Sequence, residues 1–342
     1  MADIRVGEHD LVAAFACLQS CTEGRTKEGR TFMDVKLSDV SGVVGGKIWA
    51  DTPSALSAAR DIGLGAAVKI LFEPRAYRGA LQLRIVRIRI VSAGDGHSED
   101  ALFGAGHRLI ADLNFRTMVF DIETVPNTDL RKVPSTIAQA VAKHAQRGDG
   151  DDAKIMSLSP LFGKVVSIAM GEGEAIDDPQ LPTVLAVPPE NSDPTTLPEW
   201  IRPMSEPDLL RCFWTLCERT ELVVSFNGYG FDVPFLATRS LVHGISVRVD
   251  LLSRPFALRP HLDLYRVLTQ GSRGLGPASL DVYCWALGFT SPKGEMDGSM
   301  VAPTYARGDI ETICEYNAGD VAATTAVYRH VREHLLQFRH DW

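Results

Sequence analysis

MVFDIET, residues 118–124, places two acidic side chains at the end of an apolar run. The three apolar residues before Asp121 predict a short buried strand. Side chains of a strand alternate between its two faces, so Asp121 and Glu123 are expected to point to the same side. The segment therefore predicts a rigid strand that carries a pair of carboxylates.

Two downstream segments add residues of the same character. Asp232 ends SFNGYGFD (225–232), and Tyr316 and Asp320 lie four residues apart in EYNAGD (315–320), a helical stretch in which such positions share a face. Four carboxylates that converge without basic partners repel one another, and divalent cations are the usual remedy. The set predicts a metal site, with metal-assisted phosphodiester hydrolysis as the leading interpretation.

Length and composition are typical of a soluble globular protein with room for two domains. The 342 residues are 45% hydrophobic and 23% charged, and no apolar run approaches the roughly 20 residues that span a bilayer. The N-terminus lacks the apolar stretch of a signal peptide, and the six cysteines form no CxxC pair. We expect a cytoplasmic protein with reduced thiols and no membrane association.

Charge is distributed unevenly along the chain. Residues 1–92 hold 13 basic and 10 acidic side chains, a net charge of +3, whereas the remainder holds 22 and 33, a net charge of −11. A mildly basic front part is suited to hold a polyanion, while the acidic remainder is suited to hold metals. Binding to a nucleic acid is then expected to be modest and sensitive to salt.

Residues 1–92 have the pattern of a small β domain, and the polar segment SAGDGHSED (92–100) is typical of a linker. The predicted strands are LVAAFACLQS (11–20), FMDVKLSD (32–39), VVGGKIWA (43–50), AAVKILFEP (66–74) and LQLRIVRIRIV (81–91), with SALSAAR (54–60) as a helix after the third. The alternation of the last strand changes phase at Ile85–Val86, which predicts a bulge. We assign residues 1–92 to a five-stranded barrel, 93–114 to a linker and 115–342 to a second domain.

The segments TKEGRTFMDVKLSDVSGVVGGKIW (26–49) and YRGALQLRIVRIRIV (77–91) resemble OB-fold domains of exoribonucleases and single-strand binding proteins. The resemblance implies that basic and aromatic side chains on the barrel face stack bases and follow the phosphate backbone. The candidate contacts are Lys36, Lys47, Trp49, Phe72, Arg75, Tyr77, Arg78 and Arg84. For each of them a place in the core or on a solvated face is an equal alternative.

From about residue 115 predicted strands alternate with helices, which indicates an α/β sandwich. The strands are MVFDIET, KVVSIAMG (164–171), PTVLAV (182–187) and ELVVSF (221–226). The helices are EPDLLRCFWTLCER (206–219), DVPFLATRSLVHG (232–244), HLDLYRVL (261–268), SLDVYCWALG (279–288) and the long segment 310–335.

Three ordered motifs resemble the DEDD exonuclease superfamily in its tyrosine subclass. They are Asp-x-Glu at 121–123, Asn-x3-Phe-Asp at 227–232 and Tyr-x3-Asp at 316–320. More closely, the chain resembles predicted 3′–5′ exonucleases related to the proofreading domain of family B polymerases, a likeness that includes HLDLYRVL. It implies an RNase H-like exonuclease fold. The histidine subclass would place its base at residue 315, which is glutamate here.

The resemblance also implies roles for individual residues. The four carboxylates of Asp121, Glu123, Asp232 and Asp320 would hold two Mg²⁺ or Mn²⁺ ions. Tyr316 would orient the attacking water and help to deprotonate it. Substrate contacts would come from Asn227, Phe231, Thr124 and Lys293, the last through a phosphate.

Several alternatives stay open. HVREH (330–334) matches the H-x-x-E-H spacing of a zinc site, although no third ligand suggests itself. The leading function is a 3′–5′ exonuclease that releases nucleoside 5′-monophosphates from single-stranded DNA. The alternatives are the same chemistry on RNA or short oligoribonucleotides, and a non-catalytic nucleic-acid-binding module. No nucleotide cofactor is expected, and the sequence leaves the oligomeric state open.

Overall fold

The computed structural model describes residues 1–6, 11–145, 152–174, 182–254, 256–269, 278–291, 296–340 and 342. Two compact units divide the chain. The first comprises Met1–Asn114 and Trp214–Thr220, and the second comprises Phe115–Phe213 and Glu221–Trp342.

The first unit contains a closed five-stranded barrel. Its elements are β1 (Val12–Arg25), β2 (Thr31–Asp39), β3 (Gly42–Trp49), α1 (Pro53–Asp61), β4 (Ala67–Tyr77) and β5 (Ala80–Ile90). The strand order is β1-β2-β3-β5-β4, with β4 paired to β1, so every strand has two neighbours. Closure of this kind leaves no strand edge exposed to pair with another chain. All pairs are antiparallel except β3 and β5.

Alternating side chains fill the barrel, as the pattern of the strands predicts. In β4, Val68, Ile70 and Phe72 are fully buried or nearly so, and each such side chain stabilises the unit by about 1.5–3 kcal/mol relative to exposure. Phe72 therefore belongs to the core and presents no ring to a ligand, which corrects its place among the candidate contacts. The predicted bulge is confirmed, because the β4–β5 register skips Val86.

Residues 93–114 contain short helical pieces, of which α2 (Glu99–Phe103) is the longest α-helix. Leu102 and Phe103 pack against Cys17 of β1. These residues group with the barrel in the first unit.

The second unit is built on a six-stranded mixed sheet. Its strands are β6 (Thr117–Pro126), β7 (Gly163–Glu172), β8 (Thr183–Ala186), β9 (Ile201–Pro203), β10 (Leu222–Ser225) and β11 (His261–Asp263), in the order β11-β10-β6-β7-β8-β9. The helices are α3 (Ser135–Ala145), α4 (Asp152–Leu158), α5 (Glu206–Arg219), α6 (Asp232–Val242), α7 (Leu264–Thr269), α8 (Leu280–Leu287), α9 (Val301–Ala306) and α10 (Ile310–His334). β6 pairs in parallel with β10 and antiparallel with β7.

Helices cover both faces of this sheet, and consecutive residues of β6 face different ones. Val119 belongs to a core that it shares with Ile313 and Val321 of α10. Phe120 contacts Phe213 of α5 with ring centroids 5.0 Å apart. Odd-numbered residues of β6 thus face α10, which is the side on which Asp121 and Glu123 are expected.

The predicted helix HLDLYRVL is wrong in its first three residues. His261–Asp263 form β11, which pairs in parallel with β10 through Val223↔His261 and Ser225↔Asp263. Helix α7 begins only at Leu264. An edge position beside an existing strand satisfies the backbone groups of these residues, and that tertiary effect overrides the local pattern.

Candidate metal centre

Strand β6 and helix α10 bring three carboxylates together. Single carboxylate oxygens of Asp121, Glu123 and Asp320 all lie within 4.8 Å of one another. Asp121 and Glu123 occupy alternate positions of β6, and Asp320 lies on the helix that covers the same face. Among the described residues, no other group of three histidine, cysteine or acidic side chains is as close.

The fourth acid, Asp232, adjoins this trio without belonging to it. Asp232 is the first residue of α6 and is 5% exposed. Its Oδ1 accepts a hydrogen bond of 3.3 Å from the backbone N–H of Ile122, the residue between Asp121 and Glu123. All four predicted acids therefore converge on the middle of β6.

The electrostatics of the cluster reflect burial and the mutual repulsion of its carboxylates. Burial, followed by repulsion from Asp232, Asp320 and Glu123, raises the pKa of Asp121 well above its usual value. Burial and repulsion from Asp320 and Asp232 do the same to the pKa of Glu123. Burial raises the pKa of Asp232 to about 7. Carboxylates in this arrangement suit divalent cations, which bind oxygen ligands and cancel the repulsion.

Tyr316 lies one helical turn before Asp320 on α10. Burial, followed by repulsion from the surrounding carboxylates, raises its pKa, and its hydroxyl hydrogen-bonds Asp320. The phenol is therefore protonated at neutral pH and acts as a hydrogen-bond donor to Asp320.

A tight turn joins β10 to α6 and places the second motif. Asn227 has a φ of +64°, and a Cβ added at Gly228 would overlap Ser225 Oγ. The carboxylate of Asp263 accepts hydrogen bonds from the backbone N–H groups of Asn227 (2.9 Å) and Tyr229 (3.0 Å). Asp263, on β11, thus holds the turn from the neighbouring strand.

The predicted substrate contacts have different surroundings. Asn227 is exposed and borders a cavity of about 810 Å³, and Phe231 is half-buried against Phe235. Thr124 is buried, and its hydroxyl donates a hydrogen bond to the carbonyl of Ser157. This bond gives Thr124 a structural role. Lys293 lies outside the described residues.

Two residues of this region were missed by sequence reasoning. Asn317 is fully buried and donates a hydrogen bond to Asp121, and Asp263 anchors the turn as described. Asp263 carried a signal, since it lies in HLDLYRVL, but the helical pattern of that segment gives it no part in the site. Nothing in the pattern separated Asn317 from an ordinary helical residue.

The basic candidates on the barrel are partly paired. Lys36, Arg75, Tyr77 and Arg78 are exposed and Trp49 is half-buried. Lys47 contacts Asp34 at 3.0 Å, and Arg75 contacts Glu73 at 2.5 Å. Arg84 contacts Asp51 at 2.6 Å and Glu73 at 3.0 Å. Lys36, Tyr77 and Arg78 are thus the exposed members of the set that take part in no salt bridge among the described residues.

The HVREH segment forms the end of α10, where the rings of His330 and His334 lie 4.4 Å apart. No third ligand joins them in a compact group within the part of the chain that the structure describes.

Comparison with known families decides the affiliation of the second unit. A family described as "Predicted 3′-5′ exonuclease related to the exonuclease domain of PolB" matches residues 160–340. The chain belongs to this family. The match includes Asp232, Tyr316 and Asp320, and β6 adds Asp121 and Glu123 to the same cluster.

Among curated proteins, the catalytic subunit of DNA polymerase epsilon from Saccharomyces cerevisiae is 24% identical over 234 residues. That alignment covers 65% of this chain and 9% of the polymerase subunit, so the chain spans a small part of this relative.

Solved structures give weaker likenesses. The family B DNA polymerase of Pyrobaculum calidifontis is similar over 95% of this chain and 46% of its own, with 14% identity and a TM-score of 0.44. A Replication Protein A heterotrimer bound to single-stranded DNA is similar over 25% of this chain and 61% of its own, with 15% identity and a TM-score of 0.21. Neither likeness is close enough to carry an argument. Within the described residues, no helix combines the length and apolar character needed to cross a membrane.

Proposed function

We propose that this protein is a metal-dependent 3′–5′ exonuclease that hydrolyses single-stranded DNA and releases nucleoside 5′-monophosphates. The observation that carries the proposal is the carboxylate trio of Asp121, Glu123 and Asp320 beside Asp232, in a chain of a family related to the PolB exonuclease domain. DNA is favoured over RNA because the curated relative belongs to a DNA polymerase.

The four acids are the residues that would hold divalent cations, Mg²⁺ or Mn²⁺. The partly buried, mutually repelling carboxylates fit such ions, because oxygen ligands and net negative charge are what hard cations prefer. When bound, two such ions activate a water and stabilise the charge that develops on the leaving 3′ oxygen.

The remaining residues of the site orient the reactants. The Tyr316 hydroxyl, protonated and hydrogen-bonded to Asp320, would accept a hydrogen bond from the attacking water and orient it. Asn227 and Phe231, on the turn held by Asp263, would contact the terminal nucleotide, with Phe231 packing on sugar or base.

The barrel is proposed to be an OB-fold that holds the single strand. It has five strands and a helix between the third and the fourth, with Lys36, Tyr77 and Arg78 exposed. Aromatic side chains stack bases and basic side chains follow phosphates in single-strand binding proteins. The six free cysteines are in keeping with a cytoplasmic protein, which is also part of the proposal.

The test uses the purified full chain with Mg²⁺ or Mn²⁺ and 5′-labelled strands of one sequence, offered as single-stranded DNA, duplex DNA and RNA. Shortening of single-stranded DNA from its 3′ end is expected, and Asp121→Ala should abolish it. Glu315→Gln, an exposed acid beside Tyr316, is the matched control and should digest normally.

Two outcomes would overturn parts of the proposal. Continued digestion by Asp121→Ala would refute the assignment of the metal centre. Faster digestion of RNA than of DNA would favour the exoribonuclease alternative, and no digestion of any strand would favour the binding module.

A further inference from the structure

Asn317 follows Tyr316 on α10 and has no exposed surface. Its side-chain nitrogen Nδ2 donates a hydrogen bond of 2.8 Å to Oδ2 of Asp121. This bond links the helix to β6 at the point where the carboxylate trio forms. The roles assigned to the acids and to the tyrosine do not account for it.

The other end of the same amide is unsatisfied. Asn317 Oδ1 is buried and has no hydrogen-bond partner within the part of the chain that the structure describes. A buried acceptor without a partner has lost its hydrogen bonds to water and gained none in the folded state, which destabilises the protein. An apolar side chain of similar size would avoid that cost. Asn317 therefore has one side-chain atom, Oδ1, that destabilises the fold and another, Nδ2, that is bonded to a candidate metal ligand. This combination indicates a role in the site.

We propose that Asn317 is a positioning residue of the metal centre, which fixes the rotation of the Asp121 carboxylate through the bond from Nδ2 to Oδ2. The inference rests on the metal centre of the proposed function. A carboxylate held through one oxygen keeps the direction of the other, so less conformational freedom is lost when a cation binds. Mutation of a residue that hydrogen-bonds a metal ligand typically weakens metal affinity by about 10–100-fold.

A purely structural role predicts a different result. If Asn317 only tied α10 to β6, its replacement would lower the stability of the protein and leave the metal affinity of the folded state unchanged. Metal affinity and stability must therefore be measured separately, on the same variants.

The experiment titrates Mn²⁺ into the full chain by calorimetry and measures the melting temperature in EDTA. Asn317→Leu removes the donor at nearly constant volume, and Asn317→Ala is a second variant in case leucine does not fold. Thr324→Val is the matched control, because Thr324 is a buried polar residue two turns further along α10. Asp121→Ala removes one of the clustered carboxylates, and it gives the Mn²⁺ affinity expected when the metal centre is lost.

We expect the dissociation constant for Mn²⁺ to rise about 10–100-fold in the Asn317 variants. Asn317→Leu should melt in EDTA close to the wild type, and Thr324→Val should bind Mn²⁺ like the wild type. A normal dissociation constant in both Asn317 variants would overturn the inference and leave the proposed function intact. If Asp121→Ala bound Mn²⁺ as tightly as the wild type, the metal centre, and with it both proposals, would be refuted.

Discussion

Without metal, the site is expected to destabilise the protein as the pH rises. Burial raises the pKa of Asp232 from 3.8 to about 7, so between these pH values the folded state holds a proton that the unfolded state has lost. The free energy of unfolding then falls with increasing pH across this window and is level above it. A pKa change from 3.8 to about 7 corresponds to about 4 kcal/mol at most. The raised pKa values of Asp121 and Glu123 act in the same direction.

Asp232→Asn removes the ionisation and keeps an oxygen that can accept from the Ile122 N–H. In EDTA at pH 8 we expect this variant to be more stable than the wild type by about 2–4 kcal/mol. At pH 4.5 the difference should shrink to about 1 kcal/mol or less. For a unit of this size the shift is about 2–4 °C in melting temperature per kcal/mol.

The assay is differential scanning calorimetry of the full chain between pH 4.5 and 8.5, with EDTA or Mn²⁺, following the transition of the second unit. Mn²⁺ at 100 times its dissociation constant should stabilise the wild type by about 2.7 kcal/mol and Asp232→Asn by less. Glu315→Gln, which removes an exposed charge beside the site, should follow the wild type. An EDTA profile for Asp232→Asn that parallels the wild type from pH 4.5 to 8.5 would refute this account of the cluster.

Four further predictions concern the second unit and the barrel. Asp263→Ala should lower kcat about tenfold or more, because the turn that carries Asn227 and leads into Asp232 would lose two backbone hydrogen bonds and misplace these residues; melting in EDTA will tell whether the protein remains folded. Arg239→Met should destabilise the second unit by about 3–5 kcal/mol, because Glu206 would lose its bonds of 2.7 and 2.8 Å to the guanidinium; urea denaturation measures this. Glu206 has a lowered pKa despite burial because of its hydrogen bonds from Arg239, so its contribution to stability should be lost as the pH falls below about 4. Tyr77→Ser with Arg78→Ser should raise the KM for long single strands about 10-fold through the loss of one stacked base, with kcat on dinucleotides unchanged.

Much of the second unit could be predicted because its signals are local. MVF before Asp121 is a buried apolar run, and the spacing of Tyr316 and Asp320 is that of one helical turn, so strand and helix each specify which side chains share a face. The metal site was inferred because four acids that converge on one place repel one another unless cations lie between them. The carboxylate distances agree with that inference for three of the four.

The residues that were missed depend on tertiary contacts. His261–Asp263 form a strand because β10 offers a free edge, and no periodicity within three residues can indicate that. Asn317 is distinguished only by the position of Asp121, 196 residues away. Phe72 and the exposed Tyr77 are both aromatic residues of β4, and the closure of the barrel decides which of the two faces of this strand forms the core.

The destabilising features of the second unit concentrate at the three motifs. Asn227 adopts a left-handed backbone conformation, Asn317 Oδ1 lacks a partner among the described residues, and the clustered acids have raised pKa values. The backbone conformation and the unpaired oxygen each cost about 1–3 kcal/mol, and the raised pKa of Asp232 adds up to about 4 kcal/mol at high pH without metal. A globular unit has only about 5–15 kcal/mol of net stability. The large sheet core that includes Val119 and Val321 offsets them. Because a cation relieves the acids but not the turn, Asp232→Asn should raise stability only when metal is absent, whereas Asp263→Ala should lower it with or without metal.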